Sequence, residues 1–215
     1  MKFVTVTALC LASAMALSGC KIVPDTAEDD ATPAADASGD AARIETLLAA
    51  SYDAKLLPHI TAKAQSVTSL RGQLAADFAA AAAEHGASGA GAGAPVNFAL
   101  ADTGTVVATK LDSRARTLDL DVDADGTADV VLQLGPVVRG SALRDVAPQL
   151  YDFTSFRDQI EFAKLGRALN DRASGGLVIP EGDLMGATVG FTGVVPLKSA
   201  KDKWLVTPVA IEVTP

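Results

Sequence analysis

Ten residues, GASGAGAGAP from Gly86 to Pro95, divide the chain into two parts whose apolar residues repeat with different periods. Before the division apolar side chains recur every three or four positions, which places them on one face of a helix. After it they alternate or form short β-branched runs, which is the pattern of strands. The chain must therefore segregate helices from sheet, and its class is α+β.

The helical part, residues 40–85, reads as two helices. Asp40 can cap the segment AARIETLLAASYDAKLL, with Ile44, Leu47 and Leu48 at helical spacing and Pro58 closing it. The segment ITAKAQSVTSLRGQLAADFAAAAAEH carries Ile60, Val67, Leu70, Leu74, Phe78 and Ala81 on one stripe. These stripes should pack on each other or on the following domain. Gly86 ends the second helix, and residues 86–95 form a flexible loop. No lysine and no preceding strand accompany its glycines, so it is not a phosphate cradle.

From residue 96 to 215 the strand-like segments are VNFALA, GTVVATKLD, RTLDLDVD, ADVVLQLG, GATVGFTGVVPLK and KWLVTPVAIEV. Five or six short strands broken by a helical insertion at about residues 141–173 suggest a small, strongly bent antiparallel barrel of the OB type. Gly104, Gly190 and Gly193 suit the tight bends of such a barrel.

The first residues give an address. Lys2 leads into the apolar run FVTVTALCLASAMAL and then LSGC, a signal peptide over residues 1–19 with Cys20 at the position where a bacterial lipoprotein receives its lipid. The apolar run is too short for a resident membrane helix. Residues 20–39, rich in Asp, Ala and Pro, read as a solvated tether. Lys21 leaves the choice between inner and outer membrane open. Cys10 departs with the leader, and one remaining cysteine allows neither an internal disulfide nor a thiolate metal cluster. A net charge of -8 speaks against a nucleic-acid partner, which calls for a basic face.

Three groups of residues could carry chemistry. Asp121, Asp123 and Asp125 with Gly126 match the first half of a calcium loop, and Asp129 could add an oxygen, but Leu132 stands where a bidentate glutamate belongs. An acidic β-turn explains the same residues. The two histidines, His59 and His85, have no nucleophile beside them in sequence, so a Ser-His-Asp arrangement has no support. Carboxylates are plentiful, yet nothing selects an acid pair.

The third group lies in LQLGPVVRGSALRDVAPQLYDFTSFRDQIEFAKLGRALN, residues 132–170. Arg139 and Arg144 could offer planar forks to an anionic or sugar ligand, with Asp145, Gln159 and Asn170 completing a polar set over aromatic walls. Alternatively the same side chains brace the connection between a strand and two helices: Ser141 caps one, Thr154 or Ser155 caps the next, and Asp158 favours its dipole.

That stretch, with the leader ending LSGCKIVP and the run DVDADGTADV, resembles the predicted periplasmic lipoproteins grouped as domain of unknown function 2291. The family pattern there is Gly-Pro-Val-Ile-Arg-Gly-Thr-Ala-Leu-Arg-Asp, followed later by Asn-Gln-Ile-Glu. This chain carries Val138 for isoleucine, Ser141 for threonine and Asp158 for asparagine. The resemblance implies a periplasmic, lipid-anchored protein of no established activity, whose genes often lie near sugar ABC transporters. The expected function is a non-enzymatic accessory or ligand-binding lipoprotein linked to sugar uptake. The alternatives are an envelope carbohydrate enzyme using carboxylates such as Asp145 and Glu161, or a structural interaction module.

Overall fold

The computed structural model describes residues 32–89 and 93–214. The signal peptide, Cys20 and most of the tether lie outside the described residues, as do three positions of the Gly/Ala loop.

The strands are β1 (Gly86–Ser88), β2 (Val96–Lys110), β3 (Ala115–Asp121), β4 (Val130–Pro136), β5 (Thr188–Leu197) and β6 (Leu205–Thr214). β2 through β6 close a five-stranded barrel in the order β2-β3-β4-β6-β5, with β5 returning to β2. Its long seam pairs Val96 with Leu197 and continues to Thr105 with Thr188. Gly86–Ser88, expected to be loop, forms the short β1, because its backbone pairs antiparallel with the beginning of β2 from Gly86↔Phe98 to Ser88↔Val96. The barrel is antiparallel except at β4 and β6, which run parallel at Val131↔Leu205 and Leu132↔Val206. The helical insertion and β5 intervene in sequence between the two strands, so β6 arrives beside β4 in the same direction.

The segments VNFALA and GTVVATKLD form one continuous strand rather than two. Gly104 lets it bend: a Cβ there would lie 2.6 Å from the carbonyl oxygen of Asp121 on the neighbouring strand. Gly193 plays the same part in β5, where a Cβ would meet Thr207 O at 2.6 Å and where the register with β6 shifts. Gly190 has ordinary space around it, so the bend does not depend on it.

The helical part has more breaks than its periodicity implies. α1 (Asp40–Ser51) passes through a π turn, Tyr52–Leu56, into α2 (Leu57–Lys63). Pro58 does not close it. The Leu57 N–H reaches back to Tyr52 O, and the proline sits in the first turn of α2, where a missing N–H is tolerated. The chain then extends at Gln65, whose N–H donates to Ala99 O (3.0 Å) and whose O accepts from Ala101 N–H (3.1 Å), stitching it to β2. α3 (Val67–Ala76) starts beyond this stitch, with Asp102 Oδ2 of β2 accepting its first N–H at 2.8 Å. Asp77 breaks the next helix. Its backbone is extended and its carboxylate caps Ala80 N–H (3.0 Å), opening α4 (Phe78–His85).

Alternation along the strands separates two cores. Phe98, Leu100, Leu118, Leu120, Leu132, Leu134, Val195 and Val206 point into the barrel, where Val67, Leu70 and Leu74 of α3 join them. The intervening residues Ala99 and Val194 face outward, into a second core with Ile44, Leu48, Leu56 and Ile60 of the N-terminal helices. The insertion between β4 and β5 contributes α5 (Ala142–Asp145) and α6 (Gln159–Gly176), and Leu143, Leu165 and Leu169 belong to this outer core. Among the described residues no helix is long and apolar enough to cross a membrane.

Candidate functional site

The stretch from Leu132 to Asn170 forms the connection from β4 to α6, and most of its polar groups are spent internally. Gln133, buried between Leu132 and Leu134, accepts from Arg139 N–H (2.9 Å), donates to Arg139 O (3.4 Å) and also reaches Thr207 Oγ1 (3.2 Å). Gly135 and Gly140 adopt φ of 70° and 84°, and a Cβ on Gly135 would press against Ser174 of α6 at 2.6 Å. Asn170 Nδ2 donates to Gly140 O at 2.9 Å. Ser141 Oγ donates to Asp145 Oδ2 (2.6 Å), whose other oxygen accepts from Arg144 Nε (2.7 Å). Arg144 also donates to Phe162 O (3.0 Å) and lies 3.8 Å over the Phe162 ring.

Arg144, Asp145 and Asn170 are thus drawn into the seam between α5, α6 and the turn at Gly140. The Arg139 and Gln159 side chains are exposed, so the five residues do not line one cavity.

The acidic loop after β3 brings carboxylate oxygens of Asp121, Asp123 and Asp129 within 4.8 Å of one another, while Asp125 is not part of that group. These oxygens already accept hydrogen bonds. Asp121 takes Ala124 N–H and Gly126 N–H, both at 2.7 Å. Asp129 takes Val122 N–H at 2.7 Å and an ion pair from Arg71. Asp125 turns to Thr127, whose N–H and hydroxyl hold its carboxyl below the usual carboxylate range. His59 contacts Val146 O (3.2 Å) and Gln149, and His85 contacts Gln73 (2.7 Å).

A different group of charges assembles where α1 meets α6. Asp40, expected to cap α1, is instead its first residue, with its carboxylate buried. It accepts from Lys164 Nζ (2.7 Å), Arg43 Nη2 (2.6 Å) and Arg157 Nη2 (3.1 Å). The ammonium of Lys164 and the guanidinium of Arg157 hold its carboxyl below the ordinary pKa of 3.8, and Asp40 in turn raises the pKa of Arg157.

Asp158, rather than Thr154 or Ser155, caps α6 by accepting from Ile160 N–H and Glu161 N–H, both at 2.9 Å, because Phe153–Ser155 forms a separate turn capped by Asp152. Glu161 in the first turn reaches back to Arg157 N–H (2.8 Å) and takes Arg43 Nε (2.8 Å). Arg43 closes the set by donating to Ala34 O and Asp36 O, carbonyls at the root of the tether.

Beside this cluster opens a cavity of about 450 Å³. Ile44 and Leu47 of α1 and Leu150 and Phe156 of the insertion make its apolar wall. Arg43, Ser155, Arg157 and Glu161 make the polar one, and exposed Ala35 stands at the rim. The cavity combines convergent polar groups with an aromatic side chain, the usual makeup of a small-ligand site. Sequence reasoning passed over it because Asp40, Arg43 and Ala35 lie more than a hundred positions from Arg157 and Glu161. A signal did exist: DQIE, Asp158 followed three residues later by glutamate, is the pattern of a helix start with a reciprocal carboxylate.

No curated protein matches the chain in sequence. In structure the chain is similar to an OB-fold protein from Thermotoga maritima, with a TM-score of 0.59 and 12% identity over 81% of this chain and 98% of that one. The likeness confirms the barrel, as the closure β2-β3-β4-β6-β5 does. Residues 10–212 match the family model of predicted periplasmic lipoproteins, domain of unknown function 2291, and the chain belongs to that family.

Proposed function

We propose that this periplasmic lipoprotein is a non-enzymatic accessory protein that holds a small ligand in the cavity between α1 and α6, in the service of sugar uptake by a neighbouring ABC transporter. The cavity carries the reading: two arginines, a serine and a glutamate line about 450 Å³ together with a phenylalanine and aliphatic side chains. The transporter link rests on the family resemblance.

Lipidation at Cys20 would keep the binding domain at the membrane, where such a transporter works. The carboxylates that an enzyme would need are engaged: Asp145 by Ser141 and Arg144, Glu161 by Arg43 and the Arg157 N–H. A hydrolytic acid pair requires at least one of them to exchange protons freely with substrate.

The test is a ligand screen by melting temperature on the full chain in detergent micelles, using sugars and sugar phosphates. A saturable rise that Phe156→Ala removes and Arg139→Ala keeps supports the reading. A flat response across the panel rejects it.

A further inference from the structure

The charge arrangement around the cavity points to a specific ligand class: we infer that the site takes a neutral, hydroxyl-rich ring compound, such as a free mono- or disaccharide, and discriminates against its phosphorylated form. This rests on the ligand-binding reading of the same cavity.

Both arginines that line the cavity, and Lys164 beside them, are already committed to carboxylates. Arg43 pairs with Asp40 and Glu161, Arg157 with Asp40 and Asp158, and Lys164 with Asp40. Asp36 adds a further negative charge at the tether root, its carboxyl held below the usual carboxylate range by its Ser38 hydrogen bonds first and by Arg157 and Arg43 after them. Against Arg43, Arg157 and Lys164 stand Asp36, Asp40, Asp158 and Glu161, so positive charge is not in surplus.

An anionic ligand would bring a further negative charge beside Asp40 and Glu161, which are buried to 1% and 4% exposure, and would compete with these carboxylates for the guanidiniums that neutralise them. A neutral ligand makes no such demand. Its hydroxyls can donate to the remaining lone pairs of Glu161 and accept from N–H groups of Arg157 not used in the ion pairs, each bond strengthened by the charge on the protein side.

The apolar lining fits the other half of such a molecule. Phe156, Leu47, Ile44 and Leu150 present carbon to the cavity, which suits the C–H face of a pyranose or furanose ring. A volume of about 450 Å³ lies within the range of roughly 300–1,000 Å³ found for small-molecule pockets.

The experiment uses the full chain in detergent micelles, with saturation-transfer NMR and melting temperature as readouts. D-glucose, D-ribose and maltose are compared with glucose 6-phosphate and ribose 5-phosphate. At least one neutral sugar should bind tenfold or more tightly than its phosphate. Ala35→Trp, a substitution at an exposed rim position that fills the cavity, should abolish that signal without lowering the ligand-free melting temperature.

Tighter binding of a phosphate than of its parent sugar overturns the charge argument and leaves the ligand-binding reading standing. Binding that survives Ala35→Trp places the ligand elsewhere and overturns this assignment of the site. Silence from every probe removes both.

Discussion

Arg43 Nε donates to Glu161 Oε1 at 2.8 Å, joining the first helix to the insertion helix across 118 positions of sequence. The same guanidinium holds two carbonyls at the tether root, so one side chain connects the leash, α1 and α6.

Glu161→Ala should therefore destabilise the fold strongly. It leaves Arg43 Nε and the Arg157 N–H without their acceptor in a site of 4% exposure, while Arg43 keeps Asp40, a loss of roughly 2–3 kcal/mol for unpaired buried donors. Urea unfolding followed by circular dichroism should register this as a lower midpoint with an unchanged slope.

The dependence of stability on pH should have a definite sign. Asp40 is more acidic when folded than its ordinary 3.8, because Lys164 and Arg157 favour its charged form. A group of this kind contributes stability above its unfolded pKa and loses it as pH falls through the folded value. Asp36, Asp125, Asp152 and Asp202 are lowered for the same kind of reason, through hydrogen bonds to their charged forms. The carboxylates should leave melting temperature flat from neutral pH down to about pH 5 and begin to lower it only near pH 4 and below. In Asp40→Asn the acid-side loss should be smaller and the starting melting temperature lower.

Two substitutions in the signature stretch should separate a bracing role from a binding one. Gln133→Ala strips the Arg139 backbone and Thr207 of their partner, and leaving such buried groups unsatisfied costs about 2 kcal/mol. Arg139→Ala removes an exposed side chain and should change stability by less than about 0.5 kcal/mol. Equal effects in thermal unfolding would contradict the assignment of Gln133 as the residue that shapes this turn.

Gly104→Ala and Gly193→Ala place a methyl group 2.6 Å from a backbone oxygen of a neighbouring strand, and neither barrier is a flexible side chain. Each should cost roughly 1–3 kcal/mol through displaced strands. Gly190→Ala, with its nearest neighbour at 3.6 Å, serves as the control and should fall well below both.

At the acidic loop, the expected result is indifference to calcium. The loop is closed by N–H donors on Asp121 and Asp129 and by Arg71, which also stacks 5.2 Å from the Trp204 ring centroid. Melting temperature should be the same in calcium and in chelator, while Arg71→Ala lowers it. A rise of several degrees with calcium would reassign Asp121, Asp123 and Asp129 as a cation site.

The barrel was legible in the sequence because period-two runs such as Leu118, Leu120 and Leu132, Leu134 fall on one face of a strand whatever their partners are. The helix boundaries were less so. Pro58 and Asp77 act through context: a π turn shelters the proline, and a side-chain cap breaks the helix at the aspartate inside an otherwise unbroken apolar stripe. Among candidate site residues, Arg139 and Gln159 drew notice by type alone and ended exposed, whereas Glu161 drew notice only as a possible catalytic acid and became a buried hub.

Local sequence determined the type of most segments and the bends at Gly104 and Gly193, because each depends on a residue's own backbone freedom or on neighbours within one turn. Tertiary structure alone decided that α3 closes into the barrel interior while α6 lies outside it against α1, and that Asp40 meets Arg43, Arg157 and Lys164. Apolar stripes on α3 and α6 look alike in sequence, and buried charges become partners only when packing removes the water that would otherwise keep them apart.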